Sequence, residues 1–286
     1  MCLFCPDSLH PPLAAHSPWS PRRAFLLAAG ASVATPALAQ VDVGNASAMR
    51  KLVPADTLEA AAVQQYGQML AQARAQRALA PDHHPQLQRL RAIGQRLLPF
   101  TAPWNPRARS WRWEVHLIAS PQINAFCMPG GKIAFYTGIL DKLQLTDDEA
   151  AMVMGHEMAH ALREHARERI AKTQATNIGL RLGAQLLGLG DLGTLAANLG
   201  GQLLTLQFSR SDESDADLVG LEIAARAAYV PTAAVSLWRK MGQATGGKTG
   251  GLAFLSTHPS GPQRIRELEE NVPKVQGLYT AARRGG

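Results

Sequence analysis

Two histidines and a glutamate, His156, Glu157 and His160, stand in the run "GHEMAH" of an otherwise apolar, Ala- and Met-rich segment. Residues four apart on a helix share one face about one turn apart. That spacing lets two imidazoles hold one zinc ion, while Glu157 points toward the open side of the metal. A carboxylate there can take a proton from a zinc-bound water and pass it to a leaving amine. About one chain in a hundred of this length would carry His-Glu-x-x-His by composition alone, so the surrounding residues must decide.

Catalytic zinc commonly has three protein ligands and one water. The longer H-E-x-x-H-x-x-G-x-x-H pattern is absent, because Arg163 stands in the glycine position and Ala166 in that of the third histidine. His165, five past His160, is expected at the surface, around the helix from the metal. A better third ligand lies in "SDESDADLVG", residues 211 to 220, where Glu213 and Asp217 are again four apart. This suits Glu213 as a ligand and Asp217 as the acceptor of a histidine ring N–H. The alternative is a solvated acidic face, to which Asp212 and Asp215 are assigned. Leu218, Val219, Leu221 and Ile223 mark this helix as largely buried, and buried carboxylates need partners.

Further elements must position these groups. Thr146 and Glu149 form a capping box that opens the central helix, with Asp147 and Asp148 in its first turn and basic residues after it. Residues 56 to 98 read as two helices broken at Pro81–Pro85, with His83 and His84 in a solvated turn. Three short strands follow: Trp111 to Ile118, Ile123 to Cys127 and Lys132 to Thr137. The last two form a hairpin across Pro129-Gly130-Gly131. The free edge at Asn124, Ala125 and Phe126 is the candidate substrate-binding strand, since an extended peptide can add to a sheet edge.

Residues 178 to 208 are Leu-, Gly- and Ala-rich. Asp191 would cost roughly 2.5–3.5 kcal/mol at the centre of a membrane span, and several glycines interrupt the run. Two buried helices are expected, with no membrane span in the mature chain. Helices from Ser211 to Ala228 and from Thr232 to Met241 follow, then a flexible loop from Gly246 to Gly251. A short helix from Gln263 to Glu270 and a loose tail complete the chain. His258, held extended by Pro259, is expected in the cleft. There it either fills the open position at zinc or stabilises the transition state; the plainer alternative is a helix cap.

The first 39 residues read as an export signal of twin-arginine type: Arg22-Arg23, an apolar stretch to Val33, and Ala37-Leu38-Ala39 before Gln40. The mature chain, 40 to 286, is expected as one domain, periplasmic or secreted. Cys127 then remains alone and can form no internal disulfide. The formal charge is +7, from 29 basic and 22 acidic residues that are scattered without a basic run. That argues against nucleic acid and is compatible with peripheral association at an anionic membrane.

Taken in order, His156-Glu157-x-x-His160, Ser209-Arg210-x-x-Glu213-x-Asp215-Ala216-Asp217-x-x-Gly220 and Thr257-His258-Pro259, with Asn124-Ala125-Phe126 and Pro129-Gly130-Gly131 upstream, resemble metallopeptidase family 48. That family includes CAAX prenyl endopeptidases, HtpX and periplasmic quality-control proteases. The resemblance spans roughly residues 56 to 270. It implies an α+β, predominantly helical, zincin-like fold of the minigluzincin kind. It implies one zinc per chain on His156, His160 and Glu213, Glu157 as general base, and polypeptide substrates. Asp215 departs from the family's usual Glu, and Cys127-Met128 from its usual small apolar pair. The expected activity is endoproteolysis of unfolded or damaged envelope proteins. The rival is a zinc-stabilised, chaperone-like binding protein with a closed site; zinc as a purely structural ion would leave Glu157 without a task.

Overall fold

The computed structural model describes residues 41–173, 203, 206–244, 253–258 and 261–285 of the 286-residue chain. The expected signal, the Gly246–Gly251 loop and nearly all of the 178–208 stretch lie outside the described residues.

Helix α1 (Ala55–Ala75) and helix α2 (Pro85–Leu97) flank the break at residues 76–84. His84 is the N-cap of α2: its Nδ1 accepts from the Gln86 N–H at 3.3 Å, and Pro85 supplies the pre-set first turn. The sheet holds β1 (Glu114–Ile118), β2 (Ala125–Met128) and β3 (Lys132–Tyr136) in the order β1-β3-β2. Strands β2 and β3 are the expected hairpin, with Ala125 opposite Phe135 and Met128 opposite Lys132. Strand β1 instead pairs parallel with β3, from Glu114 opposite Lys132 to Ile118 opposite Tyr136. The hairpin therefore inserts β3 at the centre and leaves β2 on the outside. Trp111 and Trp113, expected within β1, precede it.

Helix α3 (Thr137–Leu143) leads into α4 (Asp147–Leu162). Both halves of the capping box are formed: Thr146 Oγ1 accepts from the Glu149 N–H at 3.2 Å, and Glu149 Oε2 from the Thr146 N–H at 3.0 Å. Every residue of α4 from Glu149 to Leu162 is buried, which makes it the axis of the core. Its alanines let neighbours come close, and Met152, Met154 and Met158 fill the gaps.

Against α4 lies α5 (Arg210–Arg226), opened by a second capping box between Ser209 and Asp212. Asp212, half-exposed, thus has a local task at the helix start. The two helices touch backbone to backbone at Gly155 and Gly220. A Cβ on Gly220 would sit 2.6 Å from the His156 nitrogen, closer than any packed side chain tolerates. Side by side in this way, the two helices aim their polar residues at one another.

Helices α6 (Ala233–Ala244), α7 (Ala253–Thr257) and α8 (Pro262–Gly285) close the fold. The expected loose tail is instead the second half of the 24-residue α8. Leu268, Asn271 and Val275 are buried where α8 packs on α5 and α6. That burial carries the helix through Pro273, which removes one backbone hydrogen bond. The fold is predominantly helical with one small sheet, and no helix among the described residues is long and apolar enough to cross a membrane.

Candidate metal centre

Helix α4 places His156 and His160 one turn apart on the face toward α5, and α5 answers with Glu213. The two Nε2 atoms lie 3.1 Å apart. Glu213 Oε2 is 3.5 Å from His156 Nε2, and its Oε1 is 3.5 Å from His160 Nε2. From the end of α7, His258 brings Nδ1 to 3.0 Å from Glu213 Oε1 and 3.4 Å from His156 Nε2. One donor atom from each of these four side chains lies within 4.8 Å of the others, and all four are buried. Glu157 is buried next to them; its Oε1 lies 3.5 Å from His258 Nε2 and has no hydrogen bond.

These residues fit a metal ion on two counts. A tetrahedral ion with bonds near 2.0–2.1 Å separates its ligand atoms by about 3.3 Å, and the distances among His156, His160 and Glu213 bracket that value. The charges also call for a cation. Among the described residues, the carboxyls of Glu157, Glu213 and Asp217 are buried together, and the guanidinium paired with Glu213 and Asp217 is that of Arg264. A divalent ion would balance them.

The electrostatics act in the same direction. Burial works to raise the Glu213 pKa, but His258, His156 and His160 overcome it and hold the carboxyl far below its ordinary range. Burial drives His160 well below the usual imidazole value. An ionised carboxylate and a neutral imidazole are the forms that bind metals. His156 is pushed the other way, up to about 9, because Asp217 and Glu213 outweigh burial; its site demands positive charge. Burial also raises Glu157, against the pull of His258 and His156. A carboxyl tuned upward is suited to exchanging protons near neutrality.

The ring of His156 is backed from α5. Its Nδ1 lies 3.0 Å from Asp217 Oδ1, though off the line of an ideal hydrogen bond. Asp217 is itself gripped by Arg264, through Nε at 2.7 Å and Nη2 at 2.8 Å, and by Trp238 Nε1 at 3.2 Å. Arg264 Nη1 reaches Glu213 Oε2 at 2.7 Å, and its guanidinium stacks 3.8 Å over the Trp238 ring. Sequence reasoning gave neither Arg264 nor Trp238 a place here. The available signal was a lone arginine among the residues that bury α8.

Around His160 two expectations are corrected. His165 is buried, not at the surface, and its Nδ1 lies 3.0 Å from His160 Nδ1. The cause is local: α4 ends at Leu162, and a two-residue turn, with Glu164 at a left-handed φ of 60°, interrupts the helix before it resumes at residue 165. Asp215 is likewise not solvated, and it accepts from Arg163 Nε at 2.8 Å and lies 3.4 Å from His165 Nε2. Phe208 stacks on the other face of His160, 4.0 Å between centroids.

Asn124, Ala125 and Phe126 form one wall of a small groove, of about 50 Å³, whose other walls include Glu157, His160, Phe208 and His258. Because β3 is central, β2 turns its unpaired edge away from the sheet, and the Cys127 N–H faces Glu157. Asn124 is engaged locally: its carbonyl accepts from the Tyr136 N–H at 3.1 Å and its side chain from the Ala125 N–H at 3.0 Å. A larger cleft, about 860 Å³, runs past Asp42, Arg210, Ser214 and Glu267 and contains none of the four donor side chains.

Among known proteins, the Mitochondrial metalloendopeptidase OMA1 of Schizosaccharomyces pombe is 37% identical over 199 residues, 69% of this chain and 56% of its own length. The Metalloprotease LoiP of Escherichia coli is 28% identical over 154 residues, 52% of this chain and 59% of its own. The Beta-barrel assembly-enhancing protease of Yersinia pestis is 25% identical over 222 residues, 73% of this chain and 44% of its own. The chain thus spans about half the length of these relatives. The model of Peptidase family M48 matches residues 83–272, a span that takes in the sheet, α4, α5 and His258. With both histidines of α4, the carboxylates of α5 and His258 inside that span, the chain belongs to peptidase family M48.

Proposed function

We propose that this chain is an exported zinc endopeptidase that cuts unfolded or damaged proteins of the cell envelope. The observation that carries the reading is the meeting of His156, His160 and Glu213 around one point, with one carboxylate oxygen of Glu157, Oε1, left without a hydrogen bond beside it. Those three side chains would hold zinc, whose chemistry is to acidify a water and polarise a peptide carbonyl. Glu157 takes the proton of the attacking water and returns it to the leaving nitrogen. The β2 edge at Asn124–Phe126 holds an extended peptide by main-chain hydrogen bonds, so unfolded chains are the natural substrates and a folded domain is not. The signal-like residues 1–39 support export; the metalloendopeptidase relatives, one printed as mitochondrial, support the chemistry and leave the compartment to be tested.

A second reading is supported by His258, whose ring stands 3.0 Å from Glu213 Oε1 and among the ligand atoms. On that reading the site is normally closed and the protein binds clients without cutting them. Zinc-loaded wild type, Glu157→Gln and His258→Ala, each incubated with casein, separate the two. Loss of cleavage in Glu157→Gln with zinc retained supports the peptidase. Cleavage that appears only in His258→Ala supports the closed site, and normal cleavage by Glu157→Gln would sink the mechanism.

A further inference from the structure

We infer that His165 is a positioning residue: it sets the tautomer and orientation of His160 through a chain that runs His160–His165–Asp215–Arg163. This deepens the zinc-peptidase reading and rests on it. His160 Nε2 faces the donor cluster, 3.1 Å from His156 Nε2 and 3.5 Å from Glu213 Oε1. To serve as a ligand there, Nε2 must keep its lone pair, so the ring proton must sit on Nδ1. The group at hydrogen-bond distance from that Nδ1 among the described residues is His165 Nδ1, at 3.0 Å.

The remaining protons then follow in order. His165 Nδ1 accepts from His160, so His165 carries its proton on Nε2, which points at Asp215 Oδ2, 3.4 Å away. Asp215 cannot answer with a proton, because the same oxygen accepts from Arg163 Nε at 2.8 Å. Arg163 is fixed at its other end, where Nη2 donates to the carbonyls of Val43 at 3.4 Å and Gly44 at 2.9 Å. Each link has one donor and one acceptor, and reversing any of them would put two protons or two lone pairs face to face. All four side chains are buried or nearly so, which keeps water from substituting for a missing partner. Phe208, stacked on His160, prevents the ring from swinging to another acceptor.

The test exploits a shape coincidence: Oδ1 of an asparagine occupies the place of Nδ1 in a histidine and is an acceptor. His165→Leu removes the acceptor; His165→Asn keeps it. Zinc affinity is measured by competition with a chromophoric chelator. Thermal unfolding of the apo proteins reports whether each variant folds, and 15N–1H long-range correlation spectra of the zinc-loaded proteins report which His160 nitrogen is protonated. We expect zinc to bind roughly 10–100-fold more weakly to His165→Leu and within a few-fold of wild type to His165→Asn. His160 should carry its proton on Nδ1 in wild type and His165→Asn. Equal affinity in all three proteins, or equal loss in both variants with unchanged apo stability, would overturn the positioning role. A His160 proton found on Nε2 would do so as well. Wild type that binds no zinc at all would instead remove the underlying peptidase reading.

Discussion

The two histidines of α4 are one turn apart and are held by different means. His156, in mid-helix, lies level with the Gly155–Gly220 contact, so a carboxylate from the adjacent helix reaches it directly as Asp217. His160 is near the end of α4, past that contact, and its support comes from its own chain. The turn at Glu164 brings His165 back against it, and Asp215 stands one step farther out. The difference teaches that a buried ligand is backed by whatever the backbone can deliver at its height, and that a local break in a helix can do what a neighbouring helix does elsewhere.

The largest effect is expected from Glu213→Ala, which strikes both arms at once. It removes a donor from between the two rings, and zinc should no longer co-purify with the chain by atomic absorption. Retained stoichiometric zinc would place the metal on the histidines alone.

Gly220→Ala attacks the contact that lets Asp217 reach His156. With a Cβ 2.6 Å from the His156 nitrogen, the helices must separate. We expect a loss of about 3 kcal/mol or more in denaturant unfolding. The effect on zinc should exceed that of Ala replacing Gly242, a helical glycine with open space around it. Equal behaviour of the two substitutions would refute the close approach.

Asp217→Asn and Asp215→Asn sharpen the comparison. Asp217 touches a ligand and also anchors Arg264, so its loss should weaken zinc by roughly 10–100-fold. Asp215 acts one group farther away, and the amide still accepts from His165, so its loss should cost less. Reversal of that order in a chelator competition would break the account of two unequal arms.

The smallest effect lies at the far end of α4. Burial works to raise the Glu149 pKa, but Lys240, the Thr146 N–H and Ser236 overcome it and hold the carboxyl below its ordinary value. A lowered folded pKa contributes stability that is present above the unfolded value and is lost as pH falls through the folded one. Lys240→Met should therefore cost at most about 1 kcal/mol at neutral pH, since Lys240 is partly exposed. That difference should shrink as the medium is acidified into the range where Glu149 takes up its proton. A gap that widens in acid would contradict the assignment, and neither arm of the metal centre should respond to this change.

Local chemistry was legible in the residues themselves. Thr146 with Glu149, and the apolar spacing through 210–241, mark helices because capping and periodicity operate over a few residues. The types and spacing of His156, Glu157 and His160 carried the family likeness for the same reason. The acidic run after Ser209 was only half readable, since Asp212, Asp215 and Asp217 are one residue type with three surroundings: a helix cap, an arginine, and a histidine with a second arginine. Asp212 has its partner three residues away at Ser209, whereas only the tertiary structure separates Asp215 from Asp217, because their burial and partners come from chain segments far away in sequence. The same holds for β3 inserted between β1 and β2, for the tail that Val275 and Leu268 hold as helix, and for His165. On a continued helix His165 would lie off the metal face; a single left-handed residue, Glu164, turns it inward, and no pattern of spacing records that turn.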